Sequence, residues 1–375
     1  MRCGRVAWLF VQDLVLDDVT KTWPGSAPAV DHLDLTVPAG QLVGLVGPSG
    51  CGKSTVLRML AGFETPTSGR VRLGTRDITD LESRERHFGL VTQQNQLLGH
   101  LSAARNISLP LEVRDNDLTV TEIDRRLQCE ASQLGIEQLL DRQVTRLSAG
   151  QSRLVQLARA VIGAPVALLM DEPLTFLEDQ VRLRLRGEIV RLHHERGLTS
   201  LLVTASQQDA MAMCDRIAVL LDGRLEQYAV PADVYGKPAT VEVARFFGEP
   251  PMNIVAGRVD VSGGSRRVRV LGRWVPVQTA EIDPYHGRDV VVGVRPEDLV
   301  AGGPVEDSVE VTVTTTESIG YQASISASTA DGVRLDCIGR GRAPLPGTVL
   351  DVLIPGERLH FFDPATGLAV FHPPG

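Results

Sequence analysis

Three clusters of residues in this chain have the types and spacing to act on a phosphate ester. The first is Gly47-Pro48-Ser49-Gly50-Cys51-Gly52-Lys53-Ser54, which fits G-x-x-x-x-G-K-[ST]. Glycines let backbone N–H groups close around phosphate oxygens, and the helix that such a loop opens adds the positive end of its dipole. Lys53 would reach the β- and γ-phosphates, the Ser54 hydroxyl would ligate Mg2+, and Thr55 would hydrogen-bond a phosphate. Cys51 is incidental to that chemistry, though a thiol there would make activity sensitive to alkylation. The second cluster is Asp171-Glu172, directly after the apolar run Leu168-Leu169-Met170. At the end of a buried strand, Asp171 would bind Mg2+ and Glu172 would orient or deprotonate an attacking water. An acidic pair after a strand is by itself usually a solvated turn; beside a phosphate loop it reads as the carboxylate pair of a nucleoside triphosphatase. The third is Leu147-Ser148-Ala149-Gly150-Gln151, followed by Leu154, Leu157, Ala158 and Val161 at helical spacing. It is a second helix opening suited to an anion. One γ-phosphate does not need two such openings on one chain. A head-to-tail dimer, each turn capping the partner's nucleotide, resolves this.

These residues need an open parallel sheet, where ligands sit outside the carboxyl ends of the strands. Apolar runs predict buried strands over 42–46, 166–170, 200–204 and 217–221, the last entering a hairpin turn at Asp222-Gly223. A helix is expected over 53–61. From about Asn253 the texture changes to short alternating segments, such as 267–270 and 309–313, punctuated by Gly263-Gly264 and Pro344-Leu345-Pro346-Gly347. That pattern predicts an all-β domain, a small barrel, with a boundary near Pro250-Pro251. The length of 375 residues fits two or three domains. A net charge of −8 argues against coating nucleic acid, which needs a basic face. No run approaches the ~18 to 20 apolar residues of a membrane span. The five cysteines are scattered without a C-x-x-C pair, so neither a disulfide framework nor a zinc site is indicated, and a reducing compartment fits. The first eleven residues are too short an apolar stretch for a signal peptide and read as an N-terminal extension or an upstream start.

In this order and spacing the motifs resemble the ATP-binding subunits of ABC importers, specifically the sugar and glycerol-phosphate group typified by the maltose-importer ATPase. The resemblance implies an α/β P-loop ABC ATPase domain over 12–247 with a helical subdomain over about 95–160. An all-β, OB-like (TOBE-type) regulatory barrel over 253–375 would follow. Val19-Thr20-Lys21-Thr22-Trp23 resembles the segment whose aromatic stacks on adenine, which gives that role to Trp23. Gly89-Leu90-Val91-Thr92-Gln93 resembles the Q-loop, which gives Gln93 a contact to Mg2+ and the attacking water. Residues 94–106 resemble the surface that grips the membrane subunits. Ser148, Ala149, Gly150 and Gln151 stand at the signature turn. Phe246 to Asn253 resembles the linker of the sugar group, and Gly293-Val294-Arg295-Pro296-Glu297-Asp298 a motif of its barrel. The implied cofactors are ATP and Mg2+. The implied partners are two membrane permease subunits, an extracytoplasmic solute-binding protein and a second ATPase protomer, in a homo- or heterodimer, with no nucleic acid. The implied place is the cytoplasmic face of the membrane.

The chain departs from the family pattern at three positions. Ala149 replaces the first glycine of the signature, where a methyl would crowd the backbone if glycine's freedom is needed. Ala205 stands where the family has a histidine that contacts the γ-phosphate, and Ser206 follows where an aspartate is usual. Glu178 replaces the aspartate that ends the D-loop. Losing one preorganised donor costs ~10² to 10³ in rate. Two readings follow: an importer ATPase in which Ser206 or Gln207 compensates, or a degenerate, nucleotide-gated regulatory subunit with slow hydrolysis, as a homodimer or paired with an intact ATPase. Elsewhere, His193-His194 in the charged stretch 182–196 and the run Arg84-Glu85-Arg86-His87 read as solvated faces, and Phe361-Phe362 as barrel core or a dimer contact.

Overall fold

In a computed structural model, which describes residues 12–93, 97–114, 118–301 and 308–374, the chain forms two compact units that divide between Pro231 and Ala232. The first is built on a six-stranded sheet in the order Arg224–Ala229, Arg216–Leu221, Leu42–Val46, Ser200–Thr204, Ala167–Asp171, Phe88–Val91. All neighbours from Arg216–Leu221 to Phe88–Val91 run parallel. The central strands are buried on both faces, which is why they read as unbroken apolar runs. Only Arg224–Ala229 is antiparallel, returning through the Asp222-Gly223 turn.

A second, antiparallel sheet of Pro28–Val37, Leu14–Thr22, Ser68–Leu73 and Arg76–Asp77 covers one side. The helix Lys53–Ala61 contributes Val56, Met59 and Leu60 to a single core. That core also holds Leu14, Leu33 and Val71 of the antiparallel sheet, and Leu45, Leu169 and Val203 of the parallel one. Arg86 closes this helix. It is 3% exposed and donates to the carbonyls of Met59 and Leu60 at the helix end, and to those of Leu81 and Thr79. The reading of Arg84–His87 as a solvated face therefore fails at Arg86, because the last carbonyls of a helix need donors and a buried guanidinium supplies them. It fails in the same way at His193 of the helix Asp179–Arg196, which is 1% exposed with its Nδ1 3.1 Å from the Ser200 hydroxyl.

Helices Ala103–Arg114, Val120–Leu134 and Ala149–Val161 pack on one another and make up the described part of the helical insertion. Within the stretch expected to grip membrane subunits, residues 94–96 lie outside the described residues. Asn106, in that stretch, is fully buried; its side chain bonds the backbone of Leu98 and Ser102.

The second unit is an all-β body of two antiparallel sheets. The first is ordered Arg273–Val277, Ser265–Val270, Asn253–Ser262, Asp289–Val294, His360–Phe362, Ala369–Phe371. The second is ordered Val300–Ala301, Val349–Leu353, Ser308–Ile319, Gln322–Ser328, Arg334–Arg340. Inward-facing valines of both sheets, with Phe361, share one core, and Phe362 packs with Val241, Ala244 and Met252 in a second cluster. Phe361 and Phe362 are core. The boundary expected at 247–253 falls inside this unit. The short helices Pro231–Gly236 and Val241–Phe246 belong to it because Val241 and Ala244 pack on Met252 and Phe362. Arg295 adds a clamp: it donates to the carbonyls of Phe247 and Tyr235 and stacks on the Tyr235 ring at 3.9 Å. The segment Gly293–Asp298 thus has a structural task, holding the linker helices to the barrel.

Candidate nucleotide site

The four chemistry-bearing segments leave the carboxyl ends of four adjacent parallel strands. The phosphate loop follows Leu42–Val46, Ala205 follows Ser200–Thr204, Glu172 follows Ala167–Asp171, and Gln93 follows Phe88–Val91. Strand order, not sequence order, gathers residues that lie far apart in the chain. This is the crevice position expected of an open α/β sheet.

At the phosphate loop, Gly52 caps the helix Lys53–Ala61 at φ 106°, with no side chain bonded to the helix opening. A Cβ on Gly52 would lie 2.3 Å from the Ala29 carbonyl oxygen, so nothing larger fits. Its first N–H groups are left for an anion. Lys53 is 7% exposed, and its ammonium donates to the carbonyls of Gly47 and Pro48, each at 2.8 Å. Cys51 is buried, and burial raises its thiol pKa. A thiol both covered and protonated is a poor nucleophile, so the expected sensitivity to alkylation is not supported by the geometry. Ser54 is exposed and Thr55 half-buried on the first turn. Trp23 sits at the turn of the hairpin Leu14–Thr22/Pro28–Val37, 38% exposed, with the Lys21 ammonium 4.5 Å from its ring centroid. The same hairpin brings Ala29 against Gly52, so Trp23 and the loop are joined through one element.

The carboxylate pair is divided by its surroundings. Asp171 Oδ1 is buried without a hydrogen-bond partner, and burial, then the neighbouring Glu172, pushes the Asp171 pKa up. An orphaned carboxylate oxygen is costly unless a cation or donor meets it. With the Ser54 hydroxyl, it fits a Mg2+ ion. Glu172 adopts φ 47°, rare for a residue with a side chain and a sign of local strain. Its Oε1 accepts the Ala205 N–H at 2.8 Å, and its Oε2 accepts the Thr175 hydroxyl at 2.7 Å. The carboxylate is therefore held in place by a donor that any residue at 205 would supply. Ser206 uses only its acceptor sites here, so its O–H remains able to donate. Its oxygen accepts the Asp209 N–H at 3.2 Å and an Arg182 N–H at 2.7 Å.

The signature turn opens the helix Ala149–Val161. Ser148 caps it in a reciprocal box: its hydroxyl accepts the Gln151 N–H at 3.3 Å, and Gln151 Oε1 accepts the Ser148 N–H at 3.0 Å. Ala149 is the first helical residue, exposed and with no left-handed φ, so glycine's freedom is not needed there. The glycine that packing demands is Gly150, where a Cβ would lie 2.5 Å from Val181 Cγ1. Glu178 is the exposed N-cap of the helix Asp179–Arg196, without a side-chain cap bond. Sequence reasoning did not find Thr175, the Ala205 N–H or Arg153. Arg153 and Gln156 lie one turn apart on the buried face of the signature helix, and a polar pair on an apolar stripe was the available signal.

Comparison with known proteins agrees with this geometry. Residues 30–175 match the ABC transporter family, and residues 248–299 match the MalK OB fold domain. The sn-glycerol-3-phosphate import ATP-binding protein UgpC of Burkholderia lata is 38% identical over 360 residues, covering 94% of this chain and 98% of that protein.

The chain belongs to the ABC transporter family.

Within it, the chain falls in the group of sugar and glycerol-phosphate importer ATP-binding subunits, and it is an ATPase. UgpC of Cereibacter sphaeroides is also 38% identical, over 95% of this chain and 99% of that one. Among solved structures, a dimeric, post-hydrolysis state of the ATP-binding cassette MJ0796, bound to ADP and Pi, superposes with a TM-score of 0.53 at 29% identity. It covers 58% of this ABC subunit and 98% of that chain. The barrel of this ABC subunit carries the OB fold of the sugar-importer group. No helix among its described residues is long and apolar enough to cross a membrane.

Proposed function

We propose that this subunit binds Mg2+·ATP at the Gly47–Thr55 loop and couples its hydrolysis to uptake of a sugar or a phosphorylated polyol through two separate permease subunits. It would work as a head-to-tail dimer at the cytoplasmic face of the membrane, served by an extracytoplasmic solute-binding protein. The observation that carries the reading is the Glu172 carboxylate, fixed by the Ala205 N–H and the Thr175 hydroxyl beside an orphaned Asp171 oxygen. That is the arrangement of a base and a cation ligand at the end of one strand. Lys53 would release its loop carbonyls to meet the β- and γ-phosphates. Gln93, at the end of the neighbouring strand, would contact the attacking water, and Glu172 would take its proton. Trp23 would stack on the adenine. Ser148, Gly150 and Gln151 would cap the partner's nucleotide, with Ala149 beside them. Ser54, Asp171 and Gln93 would hold Mg2+, which would neutralise phosphate charge when bound. The names of the relatives favour a glycerol phosphate ester as the solute.

Two measurements test this. Purified wild type should release phosphate from ATP, and Glu172→Gln should lower the rate by ~10² to 10⁴ while ATP still binds. Equal rates in the two would overturn the assignment of the site. Affinity capture from membranes should bring down permease subunits; recovery of the chain without any membrane protein would overturn the importer role.

A further inference from the structure

We propose that Arg153 is a positioning residue that ties the Gln93 segment to the signature turn, so that the nucleotide state of one site sets the placement of the turn that completes the other. This rests on the nucleotide-site reading above. The guanidinium donates one N–H to the Thr92 carbonyl at 2.6 Å and another to the Gln93 carbonyl at 2.7 Å. The first nitrogen also donates to Gln156 Oε1 at 3.0 Å. Arg153 is 9% exposed and lines a small void with Val91, Leu157, Met170 and Pro173. One side chain on the signature helix therefore bonds the backbone of Thr92 and Gln93, and the void that it lines borders Met170 and Pro173, the residues on either side of the carboxylate pair.

The ladder between Phe88–Val91 and Ala167–Asp171 ends at Val91↔Met170. Thr92 and Gln93 lie just past it, and the fork of Arg153 donates to both of their carbonyls. Charge-assisted bonds in a buried setting are strong and costly to leave unmade. When Gln93 shifts toward a γ-phosphate, Arg153 must follow or break both bonds. Following moves a rigid helix whose first turn is Ser148–Gln151. A lysine carries charge on a single nitrogen and lacks the planar fork whose two nitrogens meet the Thr92 and Gln93 carbonyls separately.

The test uses the full chain and measures ATP hydrolysis per nucleotide-binding site, so that unfolded protein does not count. Arg153→Ala should lower kcat about tenfold with KM for ATP within about twofold, and Arg153→Lys should fall between it and wild type. A merely structural role would lower the melting temperature and leave kcat per site unchanged. Arg153→Ala within about twofold of wild type in kcat would overturn the proposal, as would a rise in KM at constant kcat. If Arg153→Ala does not fold, Arg153→Lys decides on the same criteria. If wild type and Glu172→Gln hydrolyse ATP equally, the site reading fails and this inference falls with it. If those two differ but the Arg153 variants match wild type, this inference alone fails.

Discussion

Two helix openings in this molecule look alike in sequence and differ in what they leave free. The helix Lys53–Ala61 opens on Gly52 in a left-handed conformation, and no side chain bonds its first N–H groups. The helix Ala149–Val161 opens on Ser148 and closes upon itself, with Ser148 and Gln151 satisfying each other's backbone N–H. The first is preorganised for a phosphate. The second must give up a capping interaction, of about 1 kcal/mol, before those groups can meet one. Such an asymmetry suits a dimer that forms when ATP arrives: each protomer holds its nucleotide first, and the signature turn is recruited afterwards.

The sharpest way to break this contrast is to add a methyl group at each glycine. Gly52→Ala places a Cβ 2.3 Å from a backbone oxygen at a φ of 106°. ATP affinity, measured by fluorescent-nucleotide titration, should fall by about a hundredfold or more. At Gly150 the added methyl meets a side chain, Val181, and the overpacking cost is about 1 to 3 kcal/mol. Gly150→Ala should bind ATP almost normally and lose about tenfold in hydrolysis. If both variants lose nucleotide affinity equally, the two openings are not functionally distinct.

A smaller effect is expected at Ala205, where the family has histidine. The bond from residue 205 to Glu172 comes from the backbone, so the side chain does not decide whether the base is held. Ala205→His should change steady-state turnover by no more than about threefold, under the ~10² expected for restoring a lost transition-state donor. A gain of a hundredfold would restore the degenerate-site reading.

The phosphate loop was legible because its information is local: eight consecutive residues, a strand before and a helix after. The carboxylate pair was legible for the same reason. What holds Glu172 was not, because the donor is a backbone N–H and its nearness comes from strand order. Residues 172 and 205 meet only because Ala167–Asp171 and Ser200–Thr204 are neighbours. Arg86 and His193 were misplaced on the surface because a run of charges does not reveal which member points at an unsatisfied helix end or a packed strand. Val241 and Ala244 read equally well in sequence as the end of one unit or the start of the next; in the structure they pack on Met252 and Phe362.

Asp171 supplies a prediction whose sign follows from its setting. Burial and Glu172 raise its pKa in the folded chain above the ordinary carboxylate value. The unfolded chain then ionises more readily, so this group destabilises the fold at any pH above its unfolded pKa, most fully above its folded one. Without ligands, Asp171→Asn should melt at a higher temperature than wild type at pH 7.5. That gain should vanish as pH falls below the normal aspartate range, where both states carry the proton. The same variant should lose the added stability that Mg2+·ATP gives wild type. A gain independent of pH would mean that something other than the Asp171 charge is what costs stability.

The smallest effect should come from Ala149→Gly, which restores the usual signature. Ala149 is the first helical residue, exposed, with an ordinary helical backbone and no clash to relieve. Glycine there gives up backbone order and, at most, about 1 kcal/mol of helix stability. Turnover should stay within about twofold of wild type, with the melting temperature unchanged or slightly lower. A tenfold rise would show that the alanine methyl obstructs the partner's nucleotide in the closed dimer. The constraint would then lie in the interface, since within one protomer the signature-turn position where an added methyl meets a neighbour is Gly150.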